Sequence, residues 1–206
     1  SVPLTPERGR FYMIQNALYT ANRRDCWGYV QGSAPLEVKR VIWQHESDEL
    51  VNDPRANMDH YTLTVKQGEV LGLKPDDFEK AEVPAMVQAC FYAWHYIAIR
   101  SHWLKAYTSS HMLERRNNGQ IVKGGGMSFR MGKKFENDLG INLKKMISLD
   151  LHAVADTEHS DNISEMFERY VKTPEDRELV LDGARDCMAI DRAYRGALGY
   201  YMARLD

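Results

Sequence analysis

Apolar side chains recur at steps of three and four residues through most of this 206-residue chain. That spacing places them along one face of an α-helix, whereas a half-buried strand would need alternation at every second residue. The sequence contains no stretch of such alternation and no internal repeat of fixed period. Because 44% of the residues are hydrophobic, the chain can bury one sizeable core. We therefore predict an all-α fold and a single domain over residues 1–206.

Proline, glycine and capping residues divide the chain into helical segments. The segments predicted as helices are 7–28, 35–52, 59–72, 83–116, 140–171 and 178–206. Pro35 and Pro84 suit first turns, Asp59 suits an N-cap, and Gly72 suits a helix end. The run 117–132 is rich in asparagine and glycine, which lowers helix propensity, so we predict a loop or lid there.

Charge, hydropathy and cysteine content exclude several classes of partner. The formal net charge is -2, so no basic field attracts nucleic acid. The longest apolar stretch, 89–99, is far shorter than the roughly 20 residues that a membrane-spanning helix needs. Three cysteines without a CxxC pair fit a reducing compartment. We expect a cytoplasmic protein that binds neither nucleic acid nor a membrane.

The run from Leu151 to His159 contains the sharpest local signal. At 3.6 residues per turn, His152, Asp156 and His159 fall within roughly 60° of one another around a helix. Two imidazoles and a carboxylate in a facial arrangement suit Fe(II) and leave open coordination positions. The alternative is a solvated polar face that happens to hold two histidines. The spacing therefore predicts a face of metal ligands on this helix.

A metal site in a bundle also needs ligands from facing helices. Glu114 ends the aromatic segment 83–116, where a buried carboxylate is costly unless it is paired or bound to a cation. The alternative is an exposed helix end at which Glu114 pairs with Arg115 or Arg116. His111, one turn before Glu114, is a candidate second-shell group or alternative ligand.

Two glutamates of the second helix, Glu46 and Glu49, compete for one ligand role. Glu49 is preferred because it lies at the end of that helix, nearest His60. Glu46, one turn earlier, then becomes a second-shell group or an alternative ligand. Carboxylates and histidines from several helices project inward in the same way in di-iron carboxylate bundles.

In their order along the chain, these residues resemble the haem-oxygenase-like di-iron oxidases and oxygenases. The resemblance implies a helical bundle of about seven helices. It also implies that O2 is the co-substrate and that the protein binds two Fe(II) ions. The six implied iron ligands are Glu49, His60, Glu114, His152, Asp156 and His159. Ten residues separate Glu49 from His60, more than in some members, so Glu46 stays open as the ligand.

Members of this family oxygenate amine or guanidine nitrogens, fragment amino acids, or decarboxylate medium-chain fatty acids to alkenes. The resemblance therefore implies an O2-activating enzyme of a small organic metabolite, with an external electron donor and a homodimer left open. Candidate substrate-binding residues are Tyr12, Gln15, Asn16 and Tyr19, for hydrogen bonds, and Arg115 and Arg116, for a carboxylate. They favour an amino acid or amine, with N-oxygenation or oxidative C–C or C–N cleavage, over a fatty acid decarboxylase.

Two readings without iron remain open beside this one. The first is a hydrolase resembling the thiaminase-II type, which needs a nucleophilic cysteine, and no obvious base stands at helical spacing from Cys90 or Cys187. The second is a helical binding module whose polar stripes are only solvated faces. This second hypothesis predicts that the chain binds no metal.

Overall fold

The computed structural model of the chain describes residues 2–205, apart from the side chains of residues 154–159 and 161–163. Within that range it contains nine α-helices and two short 3-10 helices. The same residues form no strand, and an isolated antiparallel bridge pairs Asp53 with Met58. The all-α prediction is confirmed, whereas the expected number of about seven helices is wrong.

The helices follow one another along the chain. They are α1 (Pro6–Ser33), α2 (Leu36–Leu50), α3 (His60–Gly68), α4 (Pro75–Glu79), α5 (Ala85–Arg100), α6 (Trp103–Arg115), α7 (Met127–Leu139), α8 (Ile147–Tyr170) and α9 (Pro174–Met202). The 3-10 helices are Glu69–Leu71 and Leu143–Lys145. As predicted, Asp59 caps α3 by accepting from the backbone N–H of Thr62, and Gly72 ends the following turn with a φ of 77°.

Three differences from the sequence prediction raise the number of helices. The predicted helix 83–116 is broken at Ser101, and His102 caps α6 by accepting from the backbone N–H of Leu104 through Nδ1. The glycine-rich run ends earlier than expected, because α7 begins at Met127 inside it. The short helix α4 lies in a stretch for which no helix was predicted.

Helix α1 lies at the centre of the bundle and contacts α2, α3, α5 and α6. Trp27 of α1 is fully buried, and its ring meets that of Tyr107 on α6 edge to face at 5.6 Å between centroids. Helix α8 contacts α2, α3, α6 and α7. The helices α1, α2, α3, α6 and α8 therefore enclose a common space, in which the candidate site lies.

Helix α5 is more exposed than its aromatic sequence indicates. Phe91 and Trp94 are buried in the core, whereas Tyr92 and Tyr96 face outward. In the part of the chain that the structure describes, no helix is both long enough and apolar enough to cross a membrane.

Candidate metal centre

Three of the predicted ligands meet inside the bundle. Glu49 stands in the last turn of α2, His60 is the first residue of α3, and His152 lies in α8. One ligand atom from each lies within 4.8 Å of the other two. Glu49 and His60 are buried and His152 is partly buried. Residues distant in sequence thus form a compact cluster of one carboxylate and two imidazoles.

His60 lies between two carboxylates. Its Nδ1 is 2.9 Å from Oε1 of Glu49, and its Nε2 is 2.8 Å from Oδ2 of Asp53. Burial opposes the charge on the ring, but Glu49 and Asp53 outweigh it and raise the pKa of His60 to about 9. In the chain without metal, His60 is therefore an imidazolium with one proton toward each carboxylate.

His152 has the opposite protonation state. Its Nδ1 lies 2.7 Å from the backbone oxygen of Ser148, an acceptor, so Nδ1 carries the proton and donates it there. Burial and the neighbouring charge of His60 lower the pKa of His152 to about 4. The ring is thus neutral at pH 7, and its Nε2 keeps a lone pair for a ligand bond.

The donor set fits a divalent iron ion. Two imidazoles and a carboxylate are the facial set that non-haem Fe(II) prefers. Glu49 Oε1 and His60 Nδ1 lie 2.9 Å apart, close enough that both atoms could bind one ion. His60 can exchange its Nδ1 proton for a metal ion while Nε2 stays bonded to Asp53.

Glu46 lies beside this cluster and is not part of it. Its Oε1 is 2.9 Å from Nδ1 of His45 and 3.1 Å from Nη1 of Arg24. The structure places Glu49, rather than Glu46, next to His60. The ten-residue spacing between Glu49 and His60 is therefore compatible with a shared ion.

Two buried arginines of α1 compensate the negative charges of Glu49 and Glu114. Arg24 Nη1 lies 2.5 Å from Oε2 of Glu49, and Arg23 Nη2 donates to Oε1 of Glu114 at 3.2 Å. Burial disfavours the Glu114 carboxylate, but the charges of His45 and Arg23 lower its pKa to about 2. Glu114 is 7% exposed, so it is not the carboxylate of an open helix end.

Neither Arg23 nor Arg24 was predicted as a site residue. The available signal was the position of Arg23, one turn after Tyr19 on the face that was considered for substrate. Asp53 was not predicted as a site residue either. Its contact with His60 depends on how the following turn folds back, and helical spacing carries no information on that.

A cavity of about 60 Å³ connects the cluster with Glu114. Glu49, His152 and Glu114 all line it. Four of the predicted substrate-binding residues also line it: Tyr12, Asn16, Tyr19 and Arg116. The proposed ligands and most of the proposed substrate contacts therefore share one space.

Three other predicted residues do not line this cavity. Gln15 donates through Nε2 to the backbone oxygen of Glu82, and Arg115 donates to Oγ of Ser164. Nε2 of His111 lies 3.2 Å from the same Ser164 Oγ. Burial and the charge of Arg115 lower the pKa of His111 to about 3, so its ring is neutral at pH 7, and its role as a second-shell group or alternative ligand stays a prediction.

Asp156 and His159 belong to α8, but their side chains lie outside the residues that the structure describes. A second ligand set of Glu114, Asp156 and His159 thus stays a prediction.

The other end of the cavity is rich in positive charge. Arg116 donates to Oδ1 of Asp191 at 2.5 Å and to the hydroxyl of Tyr19 at 2.9 Å. Arg195 Nε lies 3.5 Å from the same Asp191 oxygen. Burial raises the pKa of Tyr19, which therefore stays a neutral phenol. Two guanidinium groups share one carboxylate there.

Comparison with known proteins places this chain in a family. Residues 10–192 match the family described as iron-containing redox enzymes. The chain belongs to this family. That membership makes the chain an oxidoreductase and is consistent with iron at the cluster of Glu49, His60 and His152.

A solved structure from Shewanella denitrificans OS217, a domain of unknown function with a heme oxygenase-like fold, has a TM-score of 0.76 to this chain. The two are 16% identical, and the match covers 97% of this chain and 81% of that one. At this identity the likeness shows the fold alone. No curated protein matches the chain. The resemblance to the haem-oxygenase-like superfamily is confirmed.

Proposed function

We propose that this chain is a non-haem di-iron enzyme that activates O2 to oxidise a small polar metabolite. The observation that carries the proposal is the meeting of Glu49, His60 and His152 from three helices within 4.8 Å. These residues hold the first Fe(II), and Glu114, Asp156 and His159 hold the second. Bound iron supplies the one-electron and O2 chemistry. An external donor supplies any electrons that the substrate does not.

The chain's own residues prepare this site in several ways. Arg24 and Arg23 keep Glu49 and Glu114 ionised, so both carboxylates are ready to bind a cation. His152 presents Nε2 because Ser148 holds its Nδ1 proton. The cavity of about 60 Å³ has room for only a few water molecules beside the reacting groups.

The charge at the far end of the cavity favours an anionic substrate group. Arg116 and Arg195 share Asp191, which leaves about one positive charge there that no described carboxylate compensates. A substrate carboxylate would neutralise this positive charge. Asn16 and Tyr19 can hydrogen-bond to other polar groups of the substrate next to that carboxylate. Among the side chains that the structure describes, the apolar lining is limited to Leu113, Met127, Leu149 and parts of polar residues. We therefore propose an amino acid as the substrate, in preference to a plain amine or a medium-chain fatty acid.

The raised pKa values of the cysteine thiols argue against the hydrolase alternative. Burial raises the pKa of Cys26 and of Cys187 to about 11, and it also raises the pKa of Cys90. These thiols are protonated at neutral pH, whereas a nucleophilic cysteine needs a lowered pKa or an adjacent base.

The first test is an anaerobic titration of the protein with Fe(II). We expect close to two equivalents in the wild type, and the loss of one equivalent in His60→Ala and in His152→Ala. His95→Ala is the matched control, because His95 contacts Asn22 at 2.7 Å, away from the cluster. It should keep both equivalents. A wild type that binds no Fe(II) would refute the proposal.

The second test concerns the substrate. O2 consumption by the iron-loaded enzyme is measured with a panel of amino acids, the matching amines without the carboxylate, and fatty acids. With an active amino acid, Arg195→Gln should raise KM about tenfold or more while kcat changes less, because a charged hydrogen bond is lost. The matching amine should be nearly insensitive to the substitution. Equal effects on both compounds would contradict a carboxylate site at Arg195.

A further inference from the structure

We propose that Asp53 is the positioning residue of the metal centre. Its carboxylate binds the Nε2–H of His60 and so turns Nδ1 toward the iron. This inference rests on the proposed function, since it assumes a metal ion at the cluster.

The two oxygens of Asp53 have separate partners. Oδ1 accepts from the backbone N–H of Arg55 and from Nε of the same side chain, each at 2.8 Å. Oδ2 lies 2.8 Å from Nε2 of His60. Both Asp53 and His60 have 0% exposure, so water does not compete for this bond. The Arg55 contacts hold the carboxylate in place, and Oδ2 is left for the imidazole.

The backbone also fixes Asp53. Its N–H donates to the oxygen of Met58, and its own oxygen accepts from Ala56 and Asn57. Asn57 has a φ of 55°, a left-handed conformation that asparagine tolerates better than most residues. The residues between Glu49 and His60 therefore form a closed turn around Asp53. The long spacing between the two ligands provides the length for this turn.

The proposed role follows from the chemistry of metal-bound histidine. An imidazole that ligates a metal through one nitrogen donates its other N–H to a carboxylate or carbonyl, which fixes the tautomer and the ring orientation. Loss of such a partner costs about 10- to 100-fold in metal affinity. His152 has a backbone carbonyl in this role, and His60 has a carboxylate.

A purely structural role for Asp53 makes a different prediction. In that case Asp53 only folds the turn with Arg55, and its loss lowers stability without a specific effect on the metal. Asp59 gives the matched control. It precedes His60 directly, and its two carboxylate oxygens accept from Thr62, Oδ1 from the backbone N–H at 2.9 Å and Oδ2 from the hydroxyl at 2.7 Å. Asp59→Ala thus weakens the start of the same helix and leaves the His60 contacts in place.

The experiment compares the wild type with Asp53→Ala, Asp53→Asn and Asp59→Ala. Fe(II) affinity is measured by anaerobic titration, the visible spectrum is recorded with Co(II), and thermal unfolding is measured without metal. We expect Asp53→Ala to weaken one of the two equivalents by about 10- to 100-fold and to change the Co(II) spectrum. Asp53→Asn keeps an acceptor but loses the charge, so its affinity should fall between the wild type and Asp53→Ala. Asp59→Ala should lower the melting temperature and keep both the affinity and the spectrum.

Each outcome bears on the inference. If Asp53→Ala binds both equivalents as the wild type does, the positioning role is wrong and the proposed function stands. An equal loss of affinity in Asp59→Ala would also overturn it, because general weakening of α3 would then explain the effect. A wild type that binds no Fe(II) would refute this inference together with the proposed function.

Discussion

At the scale of single residues, Arg24 performs an electrostatic task that a metal ion bound at Glu49 would share. Arg24 Nη1 lies 3.1 Å from Glu46 and 2.5 Å from Glu49, and all three side chains are largely buried. Carboxylates removed from water need a compensating charge nearby. A cation bound by Glu49 supplies such a charge at the same carboxylate. The metal-free chain should therefore depend on Arg24 more than the metal-loaded one.

We predict that Arg24→Gln lowers the free energy of unfolding of the metal-free protein by about 3–5 kcal/mol, because it leaves buried carboxylates uncompensated. Fe(II) should recover part of that loss, so the stabilisation by metal should be larger in the variant than in the wild type. Urea unfolding under anaerobic conditions, with and without Fe(II), measures both effects.

Arg10→Gln is the control on the same helix. Arg10 pairs with Glu7 at 3.6 Å on the surface, and such pairs contribute about 1 kcal/mol or less. It should change stability little and leave the effect of metal as in the wild type. If Fe(II) stabilised Arg24→Gln no more than the wild type, Arg24 would have no electrostatic link to the metal.

The site residues that could be predicted from the sequence and those that could not differ in what places them at the site. Glu49 and His152 project inward from helices, where a period of 3.6 residues indicates the face on which a side chain lies. Asp53 lies in a turn, and its contact with His60 depends on backbone bonds that no periodicity encodes. Arg24 is a charged residue that periodicity would assign to the surface, and only the buried carboxylates around it explain its position.

At the scale of helices, boundaries could be predicted where a residue marks them chemically. Asp59 and Gly72 mark the start and end of α3 and the turn after it. The break between α5 and α6 could not be predicted, because it contains neither proline nor glycine. There an imidazole nitrogen of His102 takes the capping role that serine or aspartate usually has.

The packing of α9 on α6 depends on a glycine. A Cβ at Gly183 would lie 2.5 Å from the backbone oxygen of Lys105, which cannot move independently of α6. We predict that Gly183→Ala lowers the free energy of unfolding by about 1–3 kcal/mol, because it forces the two helices apart. Urea unfolding measures the change.

Gly196→Ala on the same helix is the matched control, with the opposite sign. A Cβ at Gly196 would meet nothing within 4 Å, and alanine favours a helix over glycine by about 1 kcal/mol. It should therefore stabilise the protein slightly. If both variants changed stability alike, close approach at Gly183 would not be what positions α9.

At the scale of the whole molecule, the spacing of apolar residues can specify the same fold in sequences that differ greatly. The sequences of the chain and of the Shewanella structure are 16% identical, and the two structures still superpose with a TM-score of 0.76. The all-α architecture could be predicted because it depends on the spacing of apolar residues rather than on their identity. The number of helices depends on local breaks and was therefore predicted less well.

The site connects parts of the chain that are far apart in sequence. Glu49, His60 and His152 come from α2, α3 and α8, and these helices contact one another in the bundle. An ion bound by all three holds the helices together only in the folded state, so binding must stabilise the fold as a whole. At 100 times its dissociation constant, a ligand that binds only the native state adds about 2.7 kcal/mol.

We predict that Fe(II) at that excess raises the melting temperature by about 5–10 °C, since 1 kcal/mol corresponds to about 2–4 °C in a chain of this size. Anaerobic thermal unfolding followed by circular dichroism measures the shift, and a chelator should reverse it. Mg(II), which prefers oxygen ligands, should have little effect at the same concentration. His152→Ala removes the ligand contributed by α8, so its shift should be clearly smaller. A shift of wild-type size in that variant would mean that the stabilising ion binds elsewhere and that the three helices are not joined through it.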